Sequence, residues 1–348
     1  MSTPISRRDF LKLAGLLSAS YTLPQFFAPS VNAHQSPEAQ NVLILVFDAF
    51  SAHNISLYGY PRQTTPNIDR LAEKAIVYHN HFAGGNFTTP GTASFLTGTL
   101  PWTHRAFGSP AKTVTPAFTQ KSFFHTFSTY HRMAYSHNPL ANSILAAFFQ
   151  EIETFTPREQ LFLEKNVLLN TVLKNDEDIA SVSMVRGLKS HEEDHTNYAL
   201  FLSRLYEGFR ANKYKDLLQL FPRGLPNINS DDYFLLENGI DWLNGQLTTA
   251  PQPFLGYYHF LPPHNPYFTR NDFVGTFQGD SYRPPPKPQH FFHRGVGEAR
   301  LLEQRQWYDE FILYVDAEFA RLYHTLENAG ILENTWLVLT SDHGELFE

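Results

Sequence analysis

The chain of 348 residues contains no cysteine. Disulfides, thiolate zinc sites, iron–sulfur clusters and a cysteine nucleophile are therefore excluded. Charge is sparse as well. The 27 basic and 34 acidic residues leave a formal −7, with no basic footprint for nucleic acid. No stretch after residue 30 approaches the roughly 20 apolar residues that span a bilayer, so the sequence offers no stable transmembrane anchor. Repeats and low-complexity tracts are lacking too. Aromatic residues are abundant, with 31 Phe and 17 Tyr. That much apolar area is incompatible with disorder over most of the chain, and the length suits one large core or two domains.

The first segment reads Ser6-Arg7-Arg8-Asp9-Phe10-Leu11-Lys12, followed by a moderately apolar stretch from Leu13 to Ala28. Val31-Asn32-Ala33 then offers a small-residue cleavage site before His34. Charge, apolar run and cleavage site in this order resemble a twin-arginine export signal. The resemblance implies a signal peptide over 1–33 and the twin-arginine export machinery as a partner. The mature chain, 34–348, is then expected in the periplasm or outside the cell.

Asn41 to Phe47 is a continuous apolar run that reads as a buried parallel strand, with Asp48 at its C-terminal end. Thr65-Pro66 predicts a helix start, with Ile68, Leu71, Ala72 and Ile76 on one face. A second strand is predicted from Ala75 to His79, a short helix over Thr92–Leu96, and a helix then a strand over Lys121–Thr129 and Met133–Ser136. Residues 140–250 carry helical patterns (Leu140–Phe149, Tyr198–Arg210, Asp231–Leu243) and read as a mainly helical insertion. Phe254–Phe260 is strand-like, Arg300–Ala329 is a long amphipathic helix ended by Gly330, and Thr335–Thr340 is the last strand. Strands alternating with helices predict an α/β fold with a mostly parallel central sheet flanked by helices. Ligands bind such sheets beyond the carboxyl ends of the strands. Asp48, His264 and Asp342-His343 all follow strand-like runs, so these distant residues are candidates to converge.

Three blocks carry a resemblance. Asn41–Asp48 is followed by Gly59-Tyr60-Pro61 and Thr65-Pro66-Asn67-Ile68-Asp69-Arg70-Leu71. Thr88-Thr89-Pro90-Gly91-Thr92-Ala93-Ser94-Phe95-Leu96-Thr97-Gly98 precedes Pro101 and His104. Asp316 and Leu332–Thr340 lead into Ser341-Asp342-His343-Gly344-Glu345. In this order and spacing they resemble the sulfatase branch of the alkaline phosphatase superfamily, over about residues 40–140 and 250–348. The resemblance implies a divalent cation held by hard oxygen and imidazole ligands, which neutralises an ester oxyanion and activates the nucleophile. Asp48, Thr88, Asp342 and His343 would form a single-metal set, with zinc or manganese favoured and calcium fitting the histidine less well.

The nucleophile block departs from sulfatases. They carry Cys or Ser, oxidised to formylglycine, at the position matched by Thr88, and Arg at the position matched by Thr92. Threonine cannot give that aldehyde. The pattern is similar to threonine-using relatives, which act on phosphate diesters or transfer phosphoglycerol or phosphoethanolamine. Thr88 is therefore the expected alkoxide nucleophile, with Thr89 read as a turn or cap hydroxyl. His264, in Pro263-His264-Asn265-Pro266-Tyr267, matches a family segment that brings histidine to the ester oxygens. His137 lies near the place of a family lysine and is a further catalytic candidate. His259 reads as a packed strand residue, and His104 as a family position or a helix prop. Ala49 stands where sulfatases have a second Asp.

The implied activity is hydrolysis or transfer of phosphoric or sulfuric esters, on small-molecule, lipid or glycan substrates. Two other readings stand beside it: a non-catalytic anion-binding homologue, and a non-functional fragment. Family members usually continue for a hundred residues or more past the position of His343, so the chain reads as the N-terminal portion of a sulfatase-like catalytic domain, its C-terminal part missing.

Overall fold

A computed structural model describes residues 39–108, 114–163, 205, 208–209, 212–227, 232–285 and 297–347. Residues 40–348 form one compact unit. Among the described residues its frame is a five-stranded, all-parallel sheet: β1 (Asn41–Phe47), β2 (His131–Ser136), β3 (Thr154–Phe155), β4 (Phe254–Phe260) and β5 (Thr335–Thr340), in the order β3-β2-β4-β1-β5. Flanking helices are α1 (Pro66–Ala72), α2 (Thr88–Thr97), α3 (Pro139–Leu145), α4 (Leu236–Thr249) and α5 (Glu298–Asn328). The α/β class and parallel sheet expected from the sequence are observed, and β1, β4 and β5 have their predicted bounds.

Both faces of the central strands are covered. Leu43, Leu45 and Phe47 of β1 pack with Tyr308, Phe311, Ile312 and Val315 of α5. Ile44 and Val46 pack on the other side with Ala93 and Leu96 of α2. A strand buried on both faces must read as an unbroken apolar run, which is the pattern of residues 41–47. The long helix α5 ends where expected, with Gly330 at φ 70°, in the left-handed conformation of a C-terminal glycine.

Three expectations change. Residues 75–79 form no strand: α1 stops at Ala72, Ile76 is 73% exposed, and β1 is paired on its two sides with β4 and β5. The helix expected at Asp231–Leu243 runs Leu236–Thr249 instead. Bridges from Tyr233 to Asn227 and from Phe234 to Phe162 hold that stretch extended, so no helix can start earlier. The helix expected at Thr92–Leu96 begins at Thr88. Pro90 is tolerated there because first-turn N–H groups have no intrahelical partner. The predicted helix at Tyr198–Arg210 and the signal segment 1–33 lie almost wholly outside the described residues.

Asp316 has a structural part. From the middle of α5 it accepts hydrogen bonds from Asn67 N (3.0 Å), Asn67 Nδ2 (2.7 Å) and Ile68 N (2.8 Å), capping the start of α1 from 248 residues away. Thr65, the predicted cap, makes no backbone cap bond and donates to Asp69 Oδ1 instead.

Candidate active site

Strand parity decides which side chains meet. Asp48 continues the row of Ile44 and Val46, and His259 continues the row of Leu255 and Tyr257, on the face that α2 covers. The register pairs Val46 with Thr340, so Asp342 stands beside Asp48, two positions further along both strands. Asp48 and His259 are fully buried, and Asp342 is 3% exposed.

Each carboxylate is divided between a satisfied and a bare oxygen. Asp48 Oδ2 accepts from Asn138 Nδ2 (2.5 Å) and lies 3.2 Å from His259 Nε2. Asp342 Oδ1 accepts from Ala49 N (3.2 Å) and His343 N (3.0 Å). Among the described residues nothing donates a hydrogen bond to Asp48 Oδ1 or Asp342 Oδ2, although His343 Nε2 is 3.3 and 3.6 Å away. Leaving two buried carboxylate oxygens bare is costly unless a positive charge answers them.

The histidine tautomers point the same way. His343 Nδ1 lies 2.7 Å from Gly344 O, and His264 Nδ1 lies 2.7 Å from Asn265 O. A carbonyl only accepts, so both Nδ1 atoms carry the hydrogen and both neutral rings keep a lone pair on Nε2. Asp48, His264 and His343 present ligand atoms within 4.8 Å of one another, as do Asp48, His259 and Asp342. Bare oxygens and fixed imidazole nitrogens converging on one point fit a divalent cation.

Electrostatics show the same demand. Burial alone would raise the Asp48 carboxyl, but the adjoining imidazoles of His259 and His343, with the charge of His264, hold it below its ordinary range. Asp342 is pushed up by burial and by facing Asp48. Burial would lower His343, yet Asp342 and Asp48 outweigh it and push the imidazole up to about 10, so a cation would take its place on Nε2 by displacing a proton.

Thr88 is the first residue of α2, where backbone N–H groups favour an anion, and it is 3% exposed. Its Oγ1 accepts from Asn138 Nδ2 at 3.1 Å and lies 3.4 Å from His343 Nε2. The structure therefore brings together Asp48, Thr88, Asp342, His343 and His264, the last being half-buried. Thr89 is buried behind Thr88.

His137 is seated differently. It is fully buried, stacked on Phe234 with ring centroids 4.2 Å apart, and neither ring nitrogen has a hydrogen-bond partner among the described residues. Burial, with Arg158 and His259 nearby, pushes its pKa down to about 3, so it stays neutral. His104 accepts from Ala106 N at Nδ1 (3.0 Å) and faces Ser94 Oγ at Nε2 (3.0 Å), propping α2.

Two site residues escaped the sequence reading. His259, read as strand packing, joins Asp48, with its Nδ1 3.2 Å from Tyr257 OH. Its position one residue before the end of a central strand was the available signal. Asn138 was the other. Asn138-Pro139 after a strand is a helix-start signature, and a capping side chain at a strand's carboxyl end sits at the site by topology. At Ala49 the chain turns with φ 56°, held by Tyr308, whose hydroxyl donates to Ala49 O (2.5 Å) and accepts from Ser51 N (2.9 Å).

With this geometry in place, the chain was compared with known proteins. Residues 40–348 match the family profile described as Sulfatase. N-acetylgalactosamine-6-sulfatase of Canis lupus familiaris is 22% identical over 337 residues, covering 91% of this chain and 52% of the relative. The multifunctional alkaline phosphatase superfamily protein PehA of Trinickia caryophylli is 23% identical, covering 88% and 63%. The chain thus spans about half the length of the sulfatases it matches. Among solved structures, the periplasmic domain of EcEptC from Escherichia coli, in complex with Zn, aligns with TM-score 0.52 and 18% identity over 90% of this chain and 66% of that one. The phosphonate monoester hydrolase of Agrobacterium radiobacter aligns with TM-score 0.51 and 16% identity over 88% and 63%. These likenesses establish a shared fold.

Proposed function

The chain belongs to the sulfatase family, and we propose that it carries the nucleophile and metal ligands of an exported enzyme that cleaves or transfers phosphoric or sulfuric esters through Thr88. The observation that carries this reading is the pair of bare, buried oxygens, Asp48 Oδ1 and Asp342 Oδ2, facing fixed imidazole nitrogens beside Thr88 Oγ1. Asp48, Asp342, His343 and Thr88 would hold one divalent cation, with zinc or manganese suited to the mixed oxygen and imidazole set. When bound, the cation supplies Lewis acidity toward the ester oxygens and lowers the pKa of the Thr88 hydroxyl.

The chain's own residues do the rest. The start of α2 favours the anionic ester, and burial of Thr88 limits competing water. Thr88 Oγ bonds to phosphorus or sulfur as the bond to the departing alkoxide breaks, and that alkoxide takes up the proton that the Thr88 hydroxyl gives up. His264, half-buried at the mouth, is placed to meet the ester oxygens or the leaving group. Water or another alcohol then releases the group from Thr88. A threonine ester needs no formylglycine, consistent with a chain that has no cysteine.

The test is thermal unfolding of residues 34–348 with zinc, manganese or calcium added, followed by a panel of p-nitrophenyl sulfate, phosphate and phosphodiester substrates. One cation should raise the midpoint in the unaltered chain and not in Asp342→Ala. Thr88→Ala should lose turnover and keep cation binding. A midpoint indifferent to every cation removes the metal reading.

A further inference from the structure

Asn138 makes hydrogen bonds at both ends of its amide. Its Oδ1 accepts from Leu140 N (2.8 Å) and Ala141 N (3.4 Å), the first-turn donors of α3. These are donors only, so the amide orientation is fixed and Nδ2 faces the site. Nδ2 donates to Asp48 Oδ2 (2.5 Å) and to Thr88 Oγ1 (3.1 Å). One planar group thus ties a metal-ligand candidate and the nucleophile to the start of a helix, and it is 5% exposed. Pro139 at the first helical position and the Asn138 N–H to Ser136 Oγ bond (3.1 Å) fix the backbone that carries it.

We propose that Asn138 is the positioning residue of this centre, a clamp that sets the spacing and orientation of Asp48 and Thr88; the inference rests on the reading of the site given above. The clamp has two consequences. By occupying Asp48 Oδ2, Asn138 and His259 leave Oδ1 as the single free coordinating atom of that carboxylate. By donating to Thr88 Oγ1, Asn138 uses one of its lone pairs and directs the hydroxyl proton away from itself. The same N–H also meets the oxygen as it gains charge in forming an alkoxide. Its charges are all in view: Asp48, Asp342, His259, His264 and His343 face this pocket, and the amide adds donors to Asp48 with no charge of its own.

Asn138→Ser separates this role from helix capping. Serine caps a helix as well as asparagine but is too short to reach Asp48 or Thr88. The expected result is a melting midpoint close to that of the unaltered chain and zinc or manganese affinity lower by about 10–100-fold, measured by calorimetry. On p-nitrophenyl esters, kcat should fall by a similar factor with KM little changed. Asn138→Thr, a second short uncharged cap that reaches neither Asp48 nor Thr88, should show the same affinity loss if the serine variant fails to fold. Asn138→Ala should lower the midpoint as well. Cation affinity and kcat unchanged in the serine variant would reduce Asn138 to a helix cap and overturn the proposal. Absence of cation binding in the unaltered chain would instead overturn the metal reading, and the clamp with it.

Discussion

Gly91→Ala sets two opposing effects against each other. Gly91 lies inside α2, three residues after Thr88, and a helix interior prefers Ala to Gly by about 1 kcal/mol. Propensity alone therefore predicts stabilisation. A Cβ at position 91, however, would stand 2.3 Å from Asp342 O and 3.1 Å from its carbonyl carbon. An ordinary C···O contact is about 3.3 Å, so something must move by about 1 Å. The obstacle is backbone at the end of a paired strand and cannot rotate away. Overpacking of this kind costs about 1–3 kcal/mol, which exceeds the propensity gain. The net expectation is a loss of up to about 2 kcal/mol, read by urea unfolding at unchanged m-value. Function should suffer more than stability. Separating α2 from β5 by about 1 Å moves Thr88 away from Asp342 and His343, and displacement on that scale costs on the order of 100-fold in rate. Cation affinity should fall too. A Gly91→Ala chain that is more stable by about 1 kcal/mol and binds cation normally would show that the α2–β5 approach is not tight, and the argument would fail.

Arg62→Met should cost about 3–5 kcal/mol in chemical denaturation, because Asp309 is fully buried and Arg62 Nη1 (2.8 Å) is its charge partner beside Tyr60 OH and Asn54 Nδ2. Asp280→Asn, on the more exposed side of the same arginine, should cost about 1 kcal/mol or less. Asp316 gives a pH prediction. Burial, opposed by its bonds to Ile68 and Asn67, pushes its carboxyl up to about 6. The folded chain then holds a proton that the unfolded chain has released between about pH 4 and 6, so this residue's contribution is full below that window and is lost as pH rises through it. Asp316→Asn should flatten the stability slope there, and an unchanged slope in acid-range melts would refute the assignment. His137→Phe should keep turnover and melt no lower than the unaltered chain, since the ring makes no hydrogen bond and stacks on Phe234; a lost activity would return His137 to the catalytic set.

Legibility followed the range of the forces. Continuous apolar runs exposed β1 and β4, because a strand covered on both faces has no polar side to show. Residues 75–79 have a similar local pattern and form no strand; Ile76 and Tyr78 stay exposed, so no packed face holds the stretch extended. The helix at Leu236 starts late because two bridges to distant segments hold residues 233–234 extended, and no local propensity records that.

The site divides in the same way. Composition alone excluded cysteine chemistry, and the family resemblance carried by the ordered motifs pointed to Asp48, Thr88, His264, Asp342 and His343, and also to His137. Those residues are legible because chemistry constrains their type and because Asp48, Asp342 and His343 follow strand ends, Thr88 starts a helix and His264 lies in the loop after β4. The tertiary structure decided which oxygen of each carboxylate is bare, which nitrogen of each imidazole keeps its lone pair, and that His259 and Asn138 belong beside Asp48. It also turned Asp316 from a neighbour of the late motif into the cap of α1. Hydrogen bonds are set over about 3 Å, between segments hundreds of residues apart, by strand register and helix docking. A sequence specifies the atoms that can make such bonds; only the packed chain chooses the partners.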